Sequence, residues 1–285
     1  MYKSMEGCNM EAQSSLDIAK IKQVRAELTA FYAKAKKLFS TDETVESLMR
    51  ARCYAENDDA MRNVLKEIGV IYVKDYMEFL TACNYSQYST FNDWGTMSAR
   101  GTALLNNRYV FPIRDFEGKV TALAGWNNRT PKYVVTPTYG FLKEAQFFNA
   151  ETCSTFAEKG DKTVYLVEGF FDALALRAHN FCALGNFGLS LSSLKAEMLR
   201  RFDKVVVIND ADKAGKKAYP YIAGTVKERN KQWHIDNVCT FVKLQLPYVK
   251  DADDLFRFYD CEEDVYNLRF KGQVFTLTEE YEGTE

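Results

Sequence analysis

Three short stretches put carboxylates where they could do chemistry. "VYLVEGFFDALAL" (164–176) ends an apolar run in Glu168-Gly169 and adds Asp172 one helical turn later. "KVVVINDADKAGKKA" (204–218) gives way to Asp210 and Asp212, and "VCTFVKLQL" (238–246) is followed, past Pro247, by Asp251 and Asp253. Each pair alone has an ordinary explanation as a helix cap or a solvated pair on a helix face. Three pairs at three strand ends are harder to dismiss. Six carboxylates gathered together would raise one another's pKa values unless cations neutralised them. An all-oxygen set suits Mg²⁺ or Mn²⁺ rather than zinc. The seven cysteines include no C-x-x-C pair and there are only two histidines, so no zinc site and no disulfide framework is expected.

The elements that must position these residues follow from the pattern. Strands are expected at 163–167, 181–184, 204–209 and 237–246, and helices near 170–179, 190–201, 213–230 and 253–258. That alternation predicts a parallel or mostly parallel sheet, with ligands at the carboxyl ends of its strands. Gly169 would permit a tight strand-to-helix turn. Upstream, "RYVFPIRDFEGKVTALAGW" has two β-like runs around a turn at 115–118, which suggests a hairpin. The first hundred residues read as helical. Ile21, Val24, Leu28, Phe31, Ala35 and Leu38 form one stripe behind a cap at Ser14 or Ser15. Ser40 and Glu43 have capping-box spacing, and "DDAMRNVLKEIG" stops at Gly69.

At 285 residues, 47% hydrophobic and 27% charged, the chain has the composition of a globular protein of about two domains. No apolar run reaches the ~20 residues of a membrane span, and the N-terminus lacks a signal-peptide core, so a cytoplasmic protein is expected. The net charge of -2 hides a segregation. Residues 100–143 carry seven basic against two acidic side chains, and residues 250–285 four against eleven. A solvated surface is one reading of this, and a nucleic-acid track beside a metal site is the other.

"LVEGFFDALAL" and "INDADKAGKKA" resemble the two signatures of the Toprim fold, E-G-x-x-D and D-x-D-x-x-G. "VKDADDLF" resembles its third acidic element, with Ala252 in place of proline, and "ALGNFGLS" its S-L-G-T loop, with Gly185 retained and Asn186 where threonine is usual. The segment "RYVFPIRDFEGKVTALAGWNNRTPKYVVTPTYGFLKEAQFFN" is similar to the block that precedes Toprim in DnaG-type primases, although Trp126 stands where an arginine is usual and Asn149 where glycine is. The resemblance covers residues 105–258. It implies an α/β fold with a Toprim-type, mostly parallel sheet and flanking helices, preceded by a helical subdomain and a small antiparallel β region. The units would be a helical subdomain (1–100), a basic β-rich segment (101–158), the Toprim domain (159–260) and an acidic tail (261–285).

The function implied is synthesis of RNA primers on single-stranded DNA from ribonucleoside triphosphates, with Mg²⁺ or Mn²⁺. Glu168, Asp172, Asp210 and Asp212 would be catalytic, and Glu168, Asp210, Asp212, Asp251 and Asp253 would hold metal. Arg108, Arg129, Lys132, Lys143 and Gly185 would contact nucleic acid or nucleotide, with Trp126 and Tyr133 available for base stacking. A replicative helicase or other replisome protein is an implied partner, and a membrane is not. The chain has neither the zinc ribbon nor the helicase-binding domain usual in the family, which suggests a stripped core, a fragment, or a compact phage or mobile-element form. A Toprim nuclease acting on DNA or RNA is the main alternative, and a non-catalytic nucleic-acid scaffold is another.

Overall fold

The computed structural model describes residues 17–98, 101–158, 162–188, 190–210, 240–244, 250–258 and 273–275. The expected helix at 213–230 and most of the acidic tail lie outside these residues.

The N-terminal part contains α1 (Ile18–Phe39), α2 (Asp42–Ala51), α3 (Asp59–Ile68), β1 (Ile71–Val73) and α4 (Tyr76–Ala82). The caps differ in detail from those expected. Asp17 caps α1, its Oδ1 accepting from the N–H groups of Ala19 and Lys20. Thr41 caps α2 through the N–H of Thr44, whereas the N–H of Ser40 is spent closing α1 on the carbonyl of Lys36. α3 does end at Gly69, which takes φ +79°. Of the α1 stripe, Val24, Leu28, Phe31 and Ala35 are buried, joined by Tyr32, while Leu38 is exposed.

The largest departure from the sequence reading is β1. It belongs to the stretch read as helical, yet it pairs antiparallel with β2 (Arg108–Arg114). With β3 (Val120–Trp126) and β4 (Tyr133–Val135) these strands form a four-stranded antiparallel sheet in the order β1-β2-β3-β4. Every residue of β3 is buried because both faces are covered. Alternate side chains point to opposite sides of a strand. A register shift against β2 between Ile113 and Arg114 leaves Thr121 as an extra residue and breaks that alternation at the start of β3. Val120 and Leu123 therefore both join Val24, Leu28 and Phe31 under α1, while Ala122, Ala124 and Trp126 face Phe170, Phe171 and Leu174 of the following unit. The helical region and the basic segment thus share one sheet and one core.

After α5 (Ala150–Glu158), the chain builds β5 (Thr163–Val167), α6 (Phe170–Ala178), β6 (Ala183–Gly185), α7 (Ser193–Leu199), β7 (Lys204–Ile208), β8 (Thr240–Leu244), α8 (Ala252–Phe258) and β9 (Gln273–Phe275). The second sheet has the order β6-β5-β7-β8-β9, parallel except for the antiparallel β8–β9 pair. Val164, Leu166, Val205 and Val207 pack with Leu199 and Phe202 on one face, and Tyr165, Val167, Val206 and Ile208 on the other. Burial on both faces explains why these strands read as continuous apolar runs.

Candidate active site

Glu168, Asp172, Asp210, Asp251 and Asp253 line one cleft of about 570 Å³, together with Arg52, Tyr133, Lys143, Phe187 and Lys250. Asp212 lies outside the described residues. Register explains the convergence. Val167 and Ile208 are partners in the parallel β5–β7 pair, so Glu168 and Asp210 leave the sheet at the same edge. There the N–H of Asp210 donates to Glu168 Oε1 (3.2 Å).

Asp172 sits in the first turn of α6. One of its oxygens accepts from the N–H of Gly169 (3.2 Å) and the other from the N–H of Asp253 (3.1 Å). Gly169 has an ordinary φ of -101°, so what requires glycine here is proximity. A Cβ at this position would stand 2.5 Å from Asp172 Oδ2. Gly169→Ala should therefore displace the carboxylate and leave the core intact. We expect a loss of turnover of about 10²-fold, the order associated with an ångström of misplacement, and a melting temperature close to wild type by circular dichroism.

The electrostatics describe a site in want of a cation. Burial, with Asp251 and Asp253 adding to it, pushes the Asp172 carboxyl up to about 8. Lys250 bridges the two carboxylates beside it, its Nζ 3.2 Å from Asp210 and 3.1 Å from Asp251. Burial works against its charge, but Asp210 and Asp251 outweigh it and hold the ammonium above its usual range. An ammonium thus occupies the kind of place a divalent ion would take, and this donor set fits a hard, oxygen-seeking cation. A consequence can be measured. Unfolded aspartate titrates near ~3.9, so between about pH 4 and about 8 the native state binds the extra proton and stability falls as pH rises. Without divalent ions the melting temperature should drop across this window relative to Asp172→Asn, and Mg²⁺ should restore more of it at pH 8 than at pH 5. A flat difference between the two proteins would contradict the assignment.

Asp251, Asp253 and Asp254 bring oxygens within 4.8 Å of one another, but they are not equally available. Both Asp253 oxygens are engaged, one by the Tyr54 hydroxyl and the other by the Arg52 guanidinium, with Arg257 Nε 3.5 Å away. Asp254 is paired with Arg257. Sequence reasoning placed Asp253 among metal ligands, whereas here it is 2% exposed and anchored by cations. Burial still leaves its carboxyl above the usual range against the pull of Arg52, Tyr54 and Arg257. Arg52 was missed altogether. It follows α2, in a region to which the sequence assigned no chemistry, and its guanidinium lies over the rings of Phe171 (4.1 Å) and Trp126 (5.4 Å). A lone arginine at a helix end gives no sequence signal. What identifies it is a partner 201 residues away.

The basic residues divide similarly. Lys143 and Tyr133 line the cleft, and Tyr133 is 47% exposed. Arg129 and Lys132 are exposed on the turn between β3 and β4, outside the cleft lining. Arg108 is a correction. Its side chain is buried and donates to Asn127 Oδ1 and to the carbonyls of Pro131 and Lys132, so it holds that turn together and does not face the cleft. Trp126 is likewise buried and unavailable for stacking. Gly185 lies inside, exchanging backbone bonds with Phe148. A Cβ there would come within 3.1 Å of the Gly169 carbonyl, so its place in the site is to let β6 approach the Glu168 turn.

A family profile described as Toprim-like matches residues 165–256. Among solved structures, a DnaG primase catalytic domain bound to ssDNA superposes with a TM-score of 0.72 at 18% identity, covering 90% of this chain and 81% of that one. The catalytic core of the E. coli primase gives 0.68 at 20% identity, covering 87% and 80%. The fold is that of a DnaG primase catalytic core. Curated relatives of this primase-like chain include the DNA primase of Synechococcus elongatus, 32% identical over 155 residues, and that of Clostridium acetobutylicum, 26% identical over 211 residues. These alignments take in 52% and 66% of the primase-like chain, which spans only 22% and 35% of the two relatives. With relatives of this kind, the Toprim nuclease alternative is not favoured. Among the described residues, no helix is long and apolar enough to cross a membrane.

Proposed function

We propose that the chain is a primase core that joins ribonucleotides into a short RNA primer on a single-stranded DNA template. The observation that carries this reading is the meeting of Glu168, Asp172, Asp210 and Asp251 in one cleft, with Lys143 and Tyr133 on its walls. Mg²⁺ or Mn²⁺ bound there would neutralise phosphate charge and polarise the attacking and leaving oxygens. Asp210 and Asp251, now bridged by Lys250, are the ligands we favour, with Asp212 beside them in sequence. Asp172 supports them, and Asp253 positions Asp172 through its backbone N–H.

Glu168 projects from the sheet edge with one oxygen held by the Asp210 amide. It is the group we assign to receive the proton of the primer 3′-hydroxyl or to complete the ion's coordination. Lys143 would hold the triphosphate, and Arg129 and Lys132 the template backbone. Tyr133 offers an exposed ring on which a base can stack. Such an enzyme would work in the cytoplasm beside a replicative helicase or another replisome protein.

One assay tests the reading: single-stranded DNA, labelled ribonucleotides and Mg²⁺ or Mn²⁺, with wild type beside Glu168→Gln. Labelled RNA from wild type alone is the expected result. Shortened DNA would point to the nuclease, and the absence of any product to a scaffold.

A further inference from the structure

One wall of the cleft is formed by Phe187 and Gly188. This loop is wired to the strand end that carries Glu168: the N–H of Asn186 donates to the Val167 carbonyl (2.8 Å) and that of Gly188 to the Glu168 carbonyl (3.2 Å). Asn186 stiffens the loop from within, its Nδ2 donating to the carbonyls of Gly188 (2.9 Å) and Ser190 (3.0 Å).

What grips Asn186 from the far side is Lys195 of α7, only 2% exposed. Its Nζ donates to the Asn186 carbonyl (2.6 Å) and to Oδ1 (2.8 Å), with the rings of Phe147 and Phe187 at 5.0 and 5.7 Å. Among the described residues no carboxylate pairs with this amine. Lys143 and Glu144 are the charged groups facing it across the small pocket they share. A methionine or leucine would fill the volume without the cost of desolvating an amine. What lysine adds is donors at the one place where they meet both acceptors of Asn186. A neutral amine retains two N–H bonds, enough for the two acceptors. This matters because burial, reinforced by Lys143, lowers the Lys195 amine to about 7.

We propose that Lys195 is a positioning residue for nucleotidyl transfer: by clamping Asn186 it fixes residues 186–188 against the Glu168 turn and so sets the wall against which the nucleotide is held. The inference rests on the polymerising reading of the cleft, and the pairing of Lys195 with Asn186 gives a purpose to the asparagine that stands where the resemblance places threonine.

The test uses Lys195→Met, which keeps bulk and removes the donors, and Lys195→Gln, which keeps an amide donor. We expect Lys195→Met to speed hydrogen exchange of the Gly188 amide about tenfold or more. It should also lower kcat for primer extension about tenfold, with the Kd for single-stranded DNA within about twofold of wild type. Lys195→Gln should recover most of both effects, which a volume or charge effect would not do. Unchanged Gly188 exchange in Lys195→Met would overturn the proposal, and so would equal losses in the two variants. If Lys195→Met does not fold, Lys195→Leu, which likewise lacks the donors and leaves the Asn186 amide bonds within the loop untouched, must show the faster exchange or the proposal fails. Because exchange is read without turnover, a wild type that makes no RNA would sink the polymerase reading and leave the clamp separately decided.

Discussion

Primer synthesis by Glu168→Gln should fall about a thousandfold while single-stranded DNA binding stays within about twofold of wild type. The substitution is nearly isosteric. The amide oxygen of glutamine can still accept the Asp210 N–H that now binds Glu168 Oε1 at 3.2 Å, so the turn between β5 and α6 keeps its geometry. What disappears is a negative charge and a proton acceptor at the point where Asp172 and Asp210 face the same cleft. Removing one well-placed electrostatic group from an active site costs about 10²–10³ in rate, and the role we propose for Glu168, as proton acceptor or ion ligand, puts it at the upper end, near ~4 kcal/mol of barrier. With one less carboxylate in the acidic cleft, the metal-free variant should melt at or above the wild-type temperature. Near-normal primer yield from Glu168→Gln would remove the cleft from consideration as the reaction centre.

The second large effect is one of stability and comes from Arg52. Its guanidinium pairs with a carboxylate 2% exposed, and breaking a buried ion pair from one side leaves an uncompensated charge that costs about 3–5 kcal/mol. Arg52→Met should fall at the low end, about 3 kcal/mol by urea denaturation, because Arg257 and Tyr54 remain around Asp253. Replacing both partners is the sharper measurement. In Arg52→Met with Asp253→Leu there is no orphaned charge, and Arg257 keeps Asp254. The double variant should therefore be more stable than Arg52→Met alone, with a coupling above ~1.5 kcal/mol. Simple additivity would mean that the pair does not hold the two halves of the protein together.

The parts of this protein that could be read in advance are those encoded by local periodicity. The parallel strands could be read because burial on both faces makes each a short apolar run, and the carboxylates because each follows such a run directly. β1 could not be read. Three residues, Ile71–Val73, placed between α3 and α4, carry too little pattern to separate from a helical neighbourhood, and only their pairing with Arg108–Val110 makes them a strand. The caps were missed by two or three residues at α1 and by one at α2, because neighbouring Ser, Thr and Asp side chains compete for the same N–H groups. Within the site, sequence gave residue type without commitment. Nothing local distinguishes Asp251, paired with the Lys250 ammonium, from Asp253, locked by Arg52 and Tyr54. The same holds for Arg108, whose guanidinium is consumed by the carbonyls of Pro131 and Lys132. These distinctions depend on contacts between distant segments, and charge patterning carries no record of them.

The separation of Arg52 from Asp253 along the chain also bears on how the molecule is made. The residues of the antiparallel sheet leave the ribosome first, and domains generally form in that order. Until residue 253 has emerged, the Arg52 guanidinium has the rings of Trp126 and Phe171 but lacks its carboxylate, so the pair that finishes the cleft is among the last to form in a newborn chain. An incomplete polypeptide would therefore carry a folded front half before it has a finished acidic pocket.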